Sequence, residues 1–88
     1  MPWKRRRTEG VISREVEGEA LVLDTQSQRI HQMNATALFI WTHCERVESA
    51  EGLATMLASA FDIDEATALR DVVRTVAELH ALELLEDD

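Results

Sequence analysis

The chain has 88 residues and a formal net charge of −8, and 45% of its residues are hydrophobic. This length supports one domain with a single modest core, and only three glycines argue against a turn-rich all-β sandwich. The single cysteine excludes an internal disulfide bond, and no apolar run reaches the roughly 18 residues of a membrane-spanning helix. We therefore expect one cytoplasmic domain without a membrane partner.

Charge is divided unevenly between the N-terminus and the rest of the chain. Residues 1–14 carry five basic side chains and one acidic one, whereas residues 15–88 carry four basic and sixteen acidic ones. We expect residues 1–9 to form a flexible basic segment and residues 10–86 to form the folded domain. The negative field of that domain disfavours non-specific nucleic-acid binding, because it repels phosphate groups.

Three short strands are predicted from the alternation of apolar and polar residues between positions 11 and 33. The first is Val11–Val16, and Gly18 in the turn that follows can adopt a positive φ. The second covers residues 20–23, which are apolar enough for a central strand. The third, Arg29–Met33, follows a polar loop and completes a small antiparallel sheet.

Three helices are predicted after the strands, and each follows a residue that can cap a helix N-terminus. The side-chain oxygens of Asn34, Ser49 and Asp64 can each accept a backbone N–H two or three residues further on. The third helix is predicted to run from Asp64 to about His80, with its apolar residues on one face. The residues that it is expected to bury are Leu69, Val72, Val73, Val76 and Leu79.

This order of elements predicts an α+β domain with a three-stranded antiparallel sheet followed by three helices packed on one face. The chain shows no catalytic or metal-binding pattern. Its histidines, at 31, 43 and 80, lie on different elements without metal-ligand spacing, and Cys44 suits a small core position. It also lacks a glycine-rich phosphate loop. We predict a protein that is not an enzyme and that has no cofactor and no metal.

Two alternative functions follow from the same elements. The second and third helices could form a helix-turn-helix, which with the strands would give a DNA-binding winged helix. The exposed face of the third helix offers Arg70 and Arg74 but also Asp71 and Glu78, a balance that disfavours contact with phosphates. The other alternative is a structural domain or homodimer, in which the apolar second strand and an exposed Trp3 support exchange of the N-terminal segment.

The residues around the third strand resemble the family of pyrroloquinoline-quinone biosynthesis protein D (PqqD). The shared pattern is an apolar strand at 21–24, a basic residue at Arg29, and then Asn34-Ala35-Thr36-Ala37 before Ile40-Trp41. Further similarity reaches the closing Leu84-Leu85, so that the resemblance covers about residues 11–86. Two turn positions depart from the pattern, since Gln28 and Glu83 stand where the family commonly has glycine.

The resemblance implies a winged helix-turn-helix-like recognition element for ribosomally made peptides. Such a domain binds the leader of a precursor peptide and presents its core to a modifying enzyme, often a radical-SAM protein, as in pyrroloquinoline quinone biosynthesis. The leader is expected to add a strand beside the third strand, in a groove against the third helix, because an edge strand has unpaired backbone groups.

The resemblance points to nine peptide-binding residues, which also have an ordinary explanation as a solvated strand face and parts of the core. Arginines on the helix would pair with acidic leader residues. The predicted residues are Arg29, Ile30, His31, Gln32 and Met33 on the strand, and Arg70, Val73, Arg74 and Ala77 on the helix.

Overall fold

The computed structural model describes residues 3–87. Within this range the chain forms five short strands and three α-helices, and a single 3₁₀ turn lies between the first two helices. The elements in chain order are β1 (Lys4–Arg6), β2 (Val11–Val16), β3 (Glu19–Asp24), β4 (Arg29–Met33), α1 (Ala35–His43), the 3₁₀ turn (Cys44–Arg46), α2 (Ala50–Phe61), α3 (Glu65–Ala81) and β5 (Leu85–Asp87).

The three predicted strands form one antiparallel sheet with the order β2-β3-β4. The predicted central strand is therefore confirmed, and β2 and β4 are the two edges. The turn between β2 and β3 consists of Glu17 and Gly18, with φ of 54° and 81°. Two positive φ values are typical of the tight two-residue hairpin turn, whose twist matches that of the strands.

All three predicted helix caps are confirmed. The side-chain oxygens of Asn34, Ser49 and Asp64 accept the backbone N–H three residues further on, at 2.9, 3.1 and 2.7 Å. Each bond satisfies an N–H that has no partner inside the helix, so the cap residue fixes where the helix begins. The last helix ends at Ala81, one residue beyond the predicted end.

The helices pack against one face of the sheet and form a single core with it. Trp41 joins this core to the C-terminus, because its Nε1–H donates to the Leu84 carbonyl oxygen at 3.0 Å. Val73 was predicted to be buried and is 56% exposed, since Val72 and Val76 already occupy the core face of α3. The largest fully buried apolar side chains are Val22, Ile40, Leu53, Leu57, Val72 and Leu84.

A second, two-stranded sheet joins the two ends of the described chain. Strand β1 pairs antiparallel with β5, with Arg5 opposite Glu86, so these residues belong to the domain. Strand β1 thus lies inside the predicted flexible segment 1–9, and β5 ends one residue beyond the predicted domain bounds 10–86; residues 1 and 2 lie outside the described range. Trp3, which was expected to be exposed, packs partly buried against the core. Its backbone N–H donates to the Val47 carbonyl oxygen at 2.8 Å.

The predicted α+β class is confirmed, with the three-stranded antiparallel sheet preceding three helices. Within residues 3–87, no helix has the length and apolar character to cross a membrane.

Candidate functional site

The hydrogen-bond pattern of the sheet fixes which backbone groups face its open edges. Bonded and non-bonded residue pairs alternate along an antiparallel ladder. The Thr25 N–H donates to the Gly10 carbonyl oxygen at 2.8 Å, so these two residues form a hydrogen-bonded pair. Every second pair from there along β2 and β3 is also hydrogen-bonded, and the last of them is Val16 with Glu19, beside the turn. The intervening residues of β3, including Val22, therefore direct their backbone groups toward β4.

On β4, this alternation leaves the backbone groups of Ile30 and Gln32 facing away from the sheet. Val22 pairs with His31, so His31 bonds back to β3 and its two neighbours do not. Within residues 3–87 no backbone group outside the sheet bonds to Ile30 or Gln32. The outer edge of β4 therefore presents the N–H and C=O of both residues to any strand that approaches it.

The side chains of β4 divide between the two faces of the sheet. Arg29, His31 and Met33 point to the helix side, as Val22 opposite them does, whereas Ile30 and Gln32 point to the other side. Met33 is buried in the core. Of the five predicted strand residues, the structure therefore leaves four with exposed or half-buried side chains and places Met33 among the helices.

A cavity of about 290 Å³ lies between β4 and the C-terminal end of α3. Arg29 and His31 line it from the strand, and Ala81, the last residue of α3, lines it from the helix. Five of its seven lining residues were not predicted: two lie in or after β3, and three lie at 81–83, where the departure from glycine at Glu83 was the nearest signal. The lining residues are Asp24, Ser27, Arg29, His31, Ala81, Leu82 and Glu83.

The four predicted residues of α3 form one exposed stripe, because positions i, i+3, i+4 and i+7 share a helix face. Ala81 continues this stripe to the cavity, about 16 Å from the level of Arg70 at a rise of 1.5 Å per residue. On α3, the cavity beside β4 is therefore lined by Ala81, one turn beyond Ala77, and by none of the four predicted helix residues. The stripe consists of Arg70, Val73, Arg74 and Ala77.

The charge of this stripe is only partly available. Arg74 pairs with Asp71 at 3.2 Å and with Glu78 at 4.0 Å, so neighbours on its own helix offset its charge. Among residues 3–87, Arg70 has no ion pair within 4 Å and is exposed. Of the two arginines in the stripe, Arg70 is therefore the one whose charge is available to an anionic group of a ligand.

A buried ion pair joins Asp24, one of the residues that line the cavity, to Arg7. Asp24, at the end of β3, is 2% exposed and accepts two bonds from the Arg7 guanidinium, at 2.6 and 3.1 Å. The Asp24 carboxylate also accepts the Gln26 N–H at 2.9 Å. The bonds from Arg7 hold the pKa of Asp24 well below its usual range, since they favour the charged form more than burial disfavours it.

Arg7 extends this arrangement to the turn after α3, because it also donates to the Glu83 carbonyl oxygen at 3.1 Å. One side chain thus joins the N-terminal segment, the β3–β4 loop and the α3–β5 turn, and the last two line the cavity. Sequence reasoning missed this pair, because nothing distinguishes Arg7 from the basic residues before it.

The two positions that depart from the family glycines both have left-handed backbone conformations. Gln28 immediately precedes β4 and Glu83 lines the cavity, and each has a φ of 60°. A side chain in this conformation costs roughly 1–2 kcal/mol, which glycine avoids at an entropic cost of about 0.5–1 kcal/mol. Both positions therefore have a backbone conformation that favours glycine, although neither residue is glycine.

We expect Glu83→Gly to raise the free energy of unfolding by about 0.5–1 kcal/mol, because the relief of strain exceeds the added chain entropy. Urea denaturation followed by circular dichroism measures this change. The matched control is Glu78→Gly, the same change at an exposed position inside α3, which should lower stability by about 1 kcal/mol. A loss of stability in both variants would contradict the assignment of strain to Glu83.

The single cysteine of the chain, Cys44, is buried and does not have the environment of a reactive thiol. Burial raises the pKa of the Cys44 thiol to about 11, and its Sγ–H donates to the Trp41 carbonyl oxygen at 3.2 Å. The thiol is therefore protonated at neutral pH and is a poor nucleophile. Residues 3–87 contain no cluster of three or more side chains suited to hold a metal ion.

Comparisons with known proteins agree with this architecture. The family model for coenzyme PQQ synthesis protein D (PqqD) matches residues 19–85, which include β3, β4 and all three helices. No curated protein matches the chain.

Two solved structures share the fold. The structure of TbiB1 in complex with the TbiA(beta) leader peptide is 23% identical, with a TM-score of 0.77 over 93% of this chain and 94% of that one. Lasso peptide synthetase B1 complexed with the leader peptide is also 23% identical, with a TM-score of 0.78 over 94% of this chain and 96% of that one. The predicted DNA-binding alternative finds no support in these matches.

Proposed function

The chain belongs to the PqqD family, and on that premise we propose that it is a non-catalytic recognition element for a ribosomally made precursor peptide. It binds the leader segment of the precursor and presents the remaining, core segment of that peptide to a modifying enzyme. The observation that carries this proposal is the open edge of β4, where Ile30 and Gln32 offer unpaired backbone groups next to a cavity. The two structural neighbours, both in complex with leader peptides, support it.

The leader binds as a fourth strand of the sheet. An extended peptide beside β4 satisfies the N–H and C=O of Ile30 and Gln32, and this backbone pairing gives affinity without demanding a particular sequence. Its side chains alternate between the two faces of the enlarged sheet. Those that point to the helices enter the cavity beside Arg29 and His31, where the shape of the cavity selects them.

The helix stripe selects the chemistry of the leader. Val73, Ala77 and Ala81 follow one another at four-residue intervals on α3, so their small apolar side chains form a shallow wall. Arg70 and Arg29 are exposed at opposite ends of this wall. We propose a leader that has apolar residues in its middle and acidic ones near its ends, because the arginines attract carboxylates that the rest of the acidic domain repels.

Replacing Val73 with aspartate is expected to weaken leader binding about tenfold. Val73 is 56% exposed, so the fold loses little, but the bound peptide loses an apolar contact worth about 1.5 kcal/mol and meets an added negative charge. Calorimetric titration with the leader measures the affinity. Thr55→Asp, at an exposed position of α2, adds the same charge elsewhere and should leave the affinity unchanged. Equal weakening in both variants would contradict a role for the α3 stripe.

The proposed function is tested by titrating the full chain with the leader of the precursor encoded beside it. We expect a one-to-one complex whose affinity decreases only modestly as salt rises, because backbone pairing and apolar contacts dominate. A chain that ignores the leader but binds duplex DNA with a steep salt dependence would instead be a winged-helix DNA-binding protein.

We propose that the modifying enzyme is a radical-SAM protein, as the family resemblance implies. The test is the modification of the full precursor by that enzyme with and without the chain. Modification that needs both the chain and the leader supports the presentation role. Equal rates without the chain would contradict it.

A further inference from the structure

The face of the β2-β3-β4 sheet that points away from the helices is unusually apolar. Ile12, Leu23 and Ile30 lie side by side in one row across the three strands, and the two outer members are 61% and 68% exposed. Leu21 and Val16 extend this surface toward the β2–β3 turn and are also exposed. We call these five apolar residues the outer face; the exposed Arg14, opposite Leu21, lies on the same side of the sheet.

An uncovered surface of this kind is unusual for a small antiparallel sheet. Such sheets ordinarily bury one face and show polar side chains to water on the other. Within residues 3–87 no helix or further strand lies on the outer face, because the helices pack on the opposite side. Single exposed apolar residues are common, but a contiguous group marks an interaction surface.

The rim of the outer face indicates the charge of its partner. At the β2–β3 turn, a depression of about 360 Å³ combines the apolar Val16 and Leu21 with the exposed carboxylates of Glu17 and Glu19. A lysine or arginine side chain suits this combination, because its alkyl stem packs on the apolar part and its charged end meets the carboxylates. A second copy of this chain is a less favourable partner for the outer face, because its own carboxylates and its net charge of −8 would repel those of the first copy.

The outer face is also continuous with the proposed leader site. Ile30 belongs to both, because its backbone faces the open edge and its side chain ends the apolar row. A leader strand beside β4 would place one of its own side chains next to Ile30 and so lengthen that row. A partner on the outer face would therefore contact both the domain and the bound leader.

We propose that the outer face is the docking surface for the modifying enzyme, which presents apolar side chains and at least one basic residue to it. This inference rests on the proposed function and adds a second, separate surface to it. The leader occupies the edge of the sheet, and the enzyme occupies the face. The enzyme then binds the leader-loaded domain more tightly than the empty one.

The double variant Ile12→Lys/Leu21→Lys tests this surface, because it places two charges on the face and changes no residue of β4. Biolayer interferometry with the purified modifying enzyme encoded beside the chain should show affinity at least about tenfold lower than for the wild type, with leader present in both cases. Leader affinity, measured by calorimetry, should stay within about twofold. Ser59→Lys, an exposed position of α2, should change neither value.

Enzyme affinity that is unchanged in the double variant would overturn the proposal, even if leader binding is intact. A wild-type chain that does not bind the leader would instead overturn the proposed function. Failure of the docking proposal and failure of the proposed function are therefore distinguishable. Glu19→Lys should also weaken enzyme binding, because it reverses the charge of the rim. Sedimentation gives the remaining outcome: a wild-type dimer that the double variant dissociates would assign the outer face to a second copy and overturn the proposal.

Discussion

Replacing Gln32 with proline is expected to weaken leader binding about a hundredfold. The N–H of Gln32 faces the open edge of β4, so proline removes a donor on which the leader depends and leaves a leader carbonyl unpaired. The lost bond costs about 1 kcal/mol and the unpaired carbonyl about 1–3 kcal/mol, which together correspond to roughly a hundredfold in affinity. Proline is tolerated on edge strands where the N–H faces solvent, so the free domain should still fold.

Calorimetric titration with the leader measures this effect, and two controls isolate its cause. Ser13→Pro makes the same change on β2, where the backbone of Ser13 also faces an open edge, and should leave leader affinity unchanged. Gln32→Ala retains the N–H and removes most of the side chain, so it should bind within a few-fold of the wild type. Wild-type affinity in Gln32→Pro, or equal loss in Ser13→Pro, would contradict pairing along β4.

Asp24→Asn is expected to lower the midpoint of thermal unfolding by several degrees, more than any substitution of an exposed charge. Asparagine keeps the shape of the side chain but leaves the Arg7 guanidinium without its carboxylate in a site where Asp24 is 2% exposed. Circular dichroism of the variant measures the midpoint. Asp71→Asn is the matched control, because its partner Arg74 is exposed, and such pairs contribute little. Equal midpoints for the two variants would contradict the structural role of the buried pair.

The effect of Asp24→Asn should depend on pH in a defined direction. The Arg7 side chain holds the folded-state pKa of Asp24 below its ordinary value of about 3.9, so the unfolded chain takes up this proton first as pH falls. The stability that the pair provides is therefore complete above about pH 4 and is lost as the pH falls from there toward the lowered pKa. The gap between wild type and variant should shrink across that range. A gap that stays constant from neutral to strongly acidic pH would contradict this assignment.

Local sequence signals were sufficient for the parts of the fold that depend on neighbouring residues. Asn34, Ser49 and Asp64 mark the three helix starts because capping needs only a side-chain oxygen and an N–H three residues away. The two-residue turn containing Gly18 sets the register of β2 and β3 for the same reason. The position of β4 at the edge then follows from the chain order of three hairpin-connected strands.

The parts that sequence analysis missed depend on residues far apart in the chain. Strands β1 and β5 have three residues each and no clear apolar alternation, so only their mutual pairing makes them strands. Arg7 and Asp24 are 17 positions apart, and neither residue type predicts burial. The cavity beside β4 depends on where α3 ends, which is why residues 81–83 were missed. The α3 stripe was named from the family resemblance, whereas helix periodicity placed Val73 in the core, which is wrong because Val73 is exposed.

The most direct test of the account is residue-resolved amide exchange of the chain with and without the leader. The central claim is that the leader pairs with the open edge of β4, so the amides of Ile30 and Gln32 should exchange much more slowly in the complex. The amides of Ser13 and Glu15, on the open edge of β2, should exchange at the same rate in both samples. Protection of the β2 amides, with those of β4 unchanged, would contradict the claim.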